Sequence, residues 1–134
     1  MSRIKDKIKE IETYLEELTE IVPKDLSEYA ENKLIKAACE RYFEKIIEAT
    51  TDLAFLIISS KKLEIPQEDI DAFKILFKHE FISEELCEKL KQAKGMRNIL
   101  AHQYGIIDDE IVFESLNNEL EKDIKHFLKM INIF

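Results

Sequence analysis

The sequence is poor in the two residues that break helices and shape tight turns. Its 134 residues include only two glycines and two prolines, while leucine, isoleucine, glutamate and lysine dominate. Glycine supplies positive φ angles, and proline fixes φ and removes a backbone N–H group, so folds with many turns use more of both. The shortage excludes a turn-rich architecture and favours long helices joined by short connections.

Long apolar runs are also lacking. The longest uninterrupted apolar stretch is Leu53–Ile58, far below the roughly 20 residues that a helix needs to cross a bilayer. The opening residues Met1–Asp6 include an acid and lack the basic start and apolar run of a signal peptide. We therefore expect a soluble cytoplasmic protein without a membrane partner.

Cysteine is scarce, and its spacing points away from metal and redox chemistry. Cys39 and Cys87 stand far apart without a CxxC or CxxH companion, which favours buried apolar thiols. We expect no metal and no cofactor. A chain of this length can bury a core without disulfides or a structural metal, so residues 1–134 are expected to form a single domain.

Positive charge is in deficit. The chain has 20 basic and 28 acidic residues, a formal net charge of -8. Binding many phosphates normally requires an excess of Lys and Arg, so a broad nucleic-acid-binding face is excluded and any contact with RNA should be local. Lys91, Lys94 and Arg97 recur every third residue and form the one candidate basic stripe. A solvated helix face remains an equal alternative for the two lysines.

Helical periodicity predicts an all-α, up-and-down bundle of about five helices. The first helix is expected from Ser2 to Val22, where Pro23 ends it, and the second from Leu26 to about Ser60 after a cap at Asp25. Pro66 is expected in the first turn of the third helix. Ser83 is expected to cap the fourth helix, which Gly105 ends, and Asp108 is expected to cap the last helix.

The second predicted helix loses its amphipathic pattern near its end. Leu53–Ile58 is apolar all round, as expected of a helix that is covered on every side. Either the other helices surround this stretch, or a second subunit covers the remainder. We favour a second subunit, because a bundle of about five helices rarely encloses one member completely.

The segment from Arg97 to Tyr104 combines a fixed cation, an imidazole and a phenol, with the spacing Arg-x4-His-x-Tyr. Arginine can stabilise charge that develops on a phosphate, and histidine can move a proton near neutral pH. Arg97 and His102 therefore supply the minimum for metal-free phosphodiester cleavage. On an ideal helix their side chains point about 140° apart. They can converge if the helix unwinds near Gly105, or if two chains place their motifs on opposite walls of one cleft.

This segment resembles the HEPN superfamily, and within it the HepT-like ribonuclease toxins, whose motif is commonly Arg-Asn-x-x-x-His-x-Tyr. The match is complete at Arg97, Asn98, His102 and Tyr104. The similarity extends to the helix containing residues 40–43, to the turn at residue 66 and to the helix that follows residues 108 and 109. It covers the chain from about residue 25 to the C-terminus.

The resemblance implies a homodimer or higher assembly in which two copies of the motif line a composite site. His102 would act as general base on a ribose 2′-hydroxyl, and Arg97 would stabilise the transition state. Asn98 would position Arg97 or the phosphate through its amide. The products would be a 2′,3′-cyclic phosphate and a free 5′-hydroxyl, and DNA should be inert.

The resemblance also implies a partner protein. In HepT-like families the toxin is paired with a minimal nucleotidyltransferase antitoxin, which transfers AMP from ATP to the tyrosine at the position of Tyr104. The added charge and bulk would repel and exclude RNA phosphates. This chain has no phosphate-cradling glycine loop, so the transferase activity must come from the partner.

Plainer explanations exist for each residue. His102 could hydrogen-bond a backbone carbonyl at a helix end, Arg97 could be an exposed helix-end cation, and Tyr104 could be a core-edge residue. Three functions follow from these alternatives. The first is an RNA endonuclease toxin, the second is a non-catalytic HEPN dimerisation and binding module for a nucleotidyltransferase, and the third is a structural helical dimer.

Overall fold

The computed structural model describes residues 2–102 and 108–131, and every regular element within them is helical. This confirms the predicted all-α class. The elements in chain order are α1 (Ser2–Ile21), α2 (Leu26–Glu31), α3 (Lys33–Ser60), α4 (Asp69–Lys78), α5 (Glu84–His102), α6 (Asp109–Glu114), a five-residue π-helical segment (Ser115–Glu119) and α7 (Leu120–Ile131).

The predicted second helix is interrupted at Asn32, so the expectation of one continuous helix from Leu26 to Ser60 is wrong. Asn32 adopts φ -96° and ψ 96°, and its backbone N–H donates to the carbonyl of Glu28. Its side-chain oxygen accepts a hydrogen bond of 3.1 Å from the N–H of Ile35. Asn32 therefore ends α2 and caps α3, because an asparagine side chain can accept a hydrogen bond from a backbone N–H group at the start of a helix.

The third predicted helix begins later than expected. It starts at Asp69, three residues after Pro66, and the N–H of Glu68 donates to the Asp71 carboxylate over 3.1 Å. The capping predictions for the neighbouring helices are confirmed. Ser83 Oγ accepts from the N–H of Leu86 at 3.1 Å, and the Asp108 carboxylate accepts from the first backbone N–H groups of α6.

Helix α3 forms the centre of the bundle and contacts α1, α2, α4 and α5. Within its all-round apolar stretch, Leu53, Ala54, Ile57 and Ile58 are buried inside the single chain. The preference for a second subunit over this stretch is therefore wrong for these four residues, because the neighbouring helices already cover them. Residues 55 and 56 remain partly exposed.

Both cysteines are buried and reduced, as predicted. Burial raises the pKa of the Cys39 thiol to about 11 and also raises the pKa of Cys87, which keeps both thiols protonated near neutral pH. Across residues 2–102 and 108–131, no helix is both long enough and apolar enough to span a membrane, and no cluster of three potential metal ligands is found.

Helix α5 carries the Arg-x4-His motif and is held on several sides. It contacts α3, α4 and α7, and Leu86, Leu90 and Leu100 are buried in the core. Lys94 is also buried, at 5% exposure, and its Nζ lies 2.8 Å from Asp69 Oδ2 at the start of α4. The helix that presents the motif is therefore fixed both by apolar packing and by a largely desolvated ammonium group.

Candidate active site

Arg97 lies on the side of α5 that faces α3. Its side chain is 22% exposed, so most of it is covered and part of it remains accessible. Nη1 donates to Asn98 Oδ1 over 3.3 Å, and Nη2 donates to Glu48 Oε2 of α3 over 3.4 Å. Arg97 therefore contacts both Asn98 and Glu48, and the positioning role of Asn98 stays a prediction.

His102 is the last residue of α5 and is exposed. The helix continues without a break from Glu84 through Arg97 to His102. Helix geometry then directs the two side chains about 140° apart. Unwinding between Arg97 and His102 does not occur, so a single chain does not bring the cation and the imidazole to one face of α5.

The His102 face of α5 is exposed with respect to residues 2–102 and 108–131. Gly95, Ile99 and His102 recur at helical spacing, within about 60° of one another, and this face is roughly opposite to Arg97. Ile99 is 43% exposed, and a Cβ atom added to Gly95 would meet nothing within 4 Å. An exposed isoleucine beside a glycine leaves room for another backbone to approach closely.

The predicted basic stripe is interrupted at Lys94. Lys94 is buried against Asp69, so both expectations for it, an RNA contact and a solvated face, are wrong. Lys91 pairs with Glu88 over 3.3 Å. With Arg97 paired to Glu48, each cation of the stripe has an acidic neighbour, which partly offsets its positive charge.

Tyr104 lies outside the described residues, as does Gly105, and the roles predicted for them remain predictions. Both ends of the intervening segment are placed: His102 ends α5, and Asp109 begins α6. Asp109 Oδ1 lies 2.6 Å from Lys36 Nζ of α3, which ties the start of α6 to the same helix that carries Glu48.

A cluster of polar groups lies beside this ion pair, and one of its members is fully buried. Tyr29 is fully buried against the ring of Phe113, and burial raises the pKa of its phenol. Burial also raises the pKa of Glu40, with the nearby Asp109 carboxylate adding to the effect and Lys36 opposing it. These groups lie where α2, α3 and α6 meet.

Comparison with known proteins gives the family directly. The family model described as ribonuclease HepT-like matches residues 11–131. An mRNA nuclease HepT from Shewanella oneidensis is 29% identical over 107 residues, which is 80% of each chain. A tRNA nuclease HepT from Aphanizomenon flos-aquae is 27% identical over 119 residues, which covers 89% of this chain and 81% of that protein.

A solved structure shows the same architecture. The chain superposes with a TM-score of 0.91 and 27% identity on the Shewanella oneidensis HEPN toxin, a tri-AMPylated protein in complex with an MNT antitoxin, over 98% of this chain and 97% of that one. The match confirms the expected HEPN-like fold. With the fold, the motif on α5 and the family model in agreement, the chain belongs to the ribonuclease HepT-like family of HEPN proteins.

Proposed function

We propose that this protein is a metal-independent RNA endonuclease and the toxin of a toxin–antitoxin pair whose antitoxin is a minimal nucleotidyltransferase. The observation that carries the proposal is the intact set Arg97, Asn98 and His102 on one continuous helix, in a chain whose relatives are named as HepT nucleases. RNA and ATP are both available in the cytoplasm, where we expect the protein to act.

The proposed reaction needs only a base, a cation and the RNA itself. His102 takes the proton from a ribose 2′-hydroxyl, whose oxygen attacks the adjacent phosphorus. The bond from phosphorus to the 5′-oxygen breaks, and the leaving oxygen takes a proton from water. Arg97 stabilises the extra negative charge on the phosphate oxygens, with Asn98 holding the guanidinium.

The reaction is tested with purified protein, a single-stranded RNA and the same strand made entirely of 2′-deoxynucleotides. We expect the RNA to be cut equally well with and without EDTA, leaving a 2′,3′-cyclic phosphate and a 5′-hydroxyl that mass spectrometry can identify. We expect the 2′-deoxy strand to remain intact, because it lacks the nucleophile. Cleavage of that strand, or a requirement for a divalent ion, would contradict the mechanism.

Assembly into a homodimer would resolve the divergence of Arg97 and His102. The face formed by Gly95, Ile99 and His102 is exposed among the described residues, and Arg97 points towards α3. Because Arg97 lies on the opposite side of α5, His102 of one copy approaches Arg97 of the other only if this face packs against the Arg97 side of the second chain. We therefore propose that the catalytic pair is shared between two chains.

The dimer face is tested by Ile99→Asp. Burying the exposed part of Ile99 contributes roughly 1 kcal/mol, and a buried carboxylate adds a desolvation cost, so we expect the dissociation constant to rise on the order of 10-fold, as measured by sedimentation equilibrium. Ile65→Asp is the matched control, because Ile65 is almost fully exposed in the connection between α3 and α4. If Ile99→Asp dimerises as tightly as the parent and the control, this face is not the interface.

A second candidate function is a binding module that holds the nucleotidyltransferase without cleaving RNA. The observations that favour it are the net charge of -8 and the acidic partner beside every cation of the stripe. The two functions differ in one measurement. A binding module would form a stable complex with a nucleotidyltransferase encoded by an adjacent gene and would cleave no RNA in its absence.

A further inference from the structure

Glu48 reaches the motif from a different helix. It lies in the middle of α3, 49 residues before Arg97, and its Oε2 is 3.4 Å from Arg97 Nη2. Its side chain is 54% exposed, so it borders the open surface beside the guanidinium instead of being enclosed with it. The motif of the family does not include this residue, and the mechanism above gives it no role.

The hydrogen bonds of the guanidinium show what Glu48 does to its orientation. A guanidinium is planar and carries five N–H donors. Nη1 is held by Asn98 from the same helix, Nη2 is held by Glu48 from α3, and Nε is buried without a hydrogen-bond partner among the described residues. Two contacts from two helices fix the plane of the group and leave one hydrogen on each Nη nitrogen for a phosphate oxygen.

We propose that Glu48 is a positioning residue for the ribonuclease reaction, which holds the Arg97 guanidinium in the orientation that meets the reacting phosphate. The inference rests on the proposed function. A long arginine side chain has many rotamers, and without the contact from α3 it would be restrained only by its neighbour Asn98. Misplacement of a transition-state donor by about 1 Å can cost up to 10²-fold in rate.

The opposite role for the same carboxylate is competition. A negative charge beside Arg97 could occupy the cation and repel RNA, in which case its removal would tighten RNA binding and speed cleavage. The geometry favours positioning, because Glu48 engages a single Nη hydrogen and leaves the other donors of both Nη nitrogens available. The two roles predict changes of opposite sign and are therefore separable.

The test compares Glu48→Ala and Glu48→Gln with Asp52→Ala and Asp52→Asn. Asp52 is a matched control, because it lies one turn further along α3, is 56% exposed, and pairs with Lys7 of α1 instead of the motif. We expect Glu48→Ala to lower kcat on the order of 10-fold while KM changes by less than about threefold. Glu48→Gln keeps an acceptor oxygen and should retain most of the activity, and both Asp52 variants should match the parent.

A spectroscopic measurement makes the result independent of turnover. The NMR signal of the Arg97 Nε–H group is measured in ¹⁵N-labelled protein and is assigned by its loss in Arg97→Lys. This signal should shift in Glu48→Ala and stay in place in Asp52→Ala.

A shifted signal together with a lower kcat supports the proposal. If the parent cleaves RNA and Glu48→Ala cleaves as fast or faster, the proposal is wrong and the proposed function stands. If the parent cleaves no RNA, the proposed function is wrong, and the role of Glu48 is overturned with it.

Discussion

Replacing His102 or Arg97 by alanine is expected to lower the rate of RNA cleavage by something like 10²-fold or more in each case. His102→Ala removes the base that takes the 2′-hydroxyl proton, and Arg97→Ala removes the cation that stabilises the transition state. Both side chains reach the surface, so the helical fold should persist. Single-turnover cleavage of a labelled RNA measures the loss, and circular dichroism checks the fold. A His102→Ala protein that cuts as fast as the parent would refute the mechanism.

A mixture of the two inactive proteins tests whether the site is shared. In a heterodimer of Arg97→Ala and His102→Ala chains, one composite site regains an arginine from one chain and a histidine from the other, while the second site lacks both. Random exchange makes half of the dimers mixed, so about one quarter of the parent activity should return. Each variant treated alone in the same way is the control. No recovery in a mixture with proven heterodimers would place the catalytic pair within one chain.

Much of the fold was predictable because its determinants are local in the sequence. Apolar periodicity predicted the helices, and short polar side chains predicted where several of them begin. Ser83 and Asp108 cap their helices as expected, and α1 ends at Ile21, just before Pro23. These contacts involve residues at most four apart, so the sequence contains all the information needed to predict them.

The errors arose where a residue had two local roles or a distant partner. Asn32 was read as part of a helix, although its side chain caps the helix that follows. Lys94 is expected from its spacing on a surface stripe, but its acidic partner is Asp69, 25 residues away. Glu64 has a similar long-range pairing, because hydrogen bonds from Lys78 and His79 lower its pKa to about 2. Such pairs depend on how α4 packs, which periodicity does not specify.

The residues of the candidate site were also predictable only in part. The motif residues were recognised from sequence because they lie within eight consecutive positions, and helix geometry alone predicted that Arg97 and His102 diverge. The continuous helix through both residues confirms that divergence. Glu48 was missed, since a glutamate on the polar face of a long helix has no distinguishing pattern, and only the packing of α3 against α5 brings it to Arg97.

Transfer of AMP to Tyr104 is expected to silence the nuclease. In the proposed step the Tyr104 hydroxyl attacks the α-phosphorus of ATP, a tyrosyl phosphodiester forms, and pyrophosphate leaves. The product carries negative charge and a nucleoside two residues from His102, where both would oppose the approach of an RNA phosphate. One relative of this fold is a tri-AMPylated toxin in complex with its antitoxin, which supports a modification of this class.

The modification is tested by incubating the protein with ATP and the nucleotidyltransferase encoded beside it. We expect the peptide that contains Tyr104 to gain the mass of AMP, and the rate of RNA cleavage to fall by at least about 10²-fold, a loss comparable to that of the alanine variants. Tyr104→Phe is the matched control, because it removes only the accepting oxygen. It should cleave RNA at the parent rate, take up no AMP and stay active in the presence of the transferase. An adduct on another residue, or a modified protein that still cleaves at full rate, would refute the switch, since charge and bulk beside His102 are the proposed cause of inhibition.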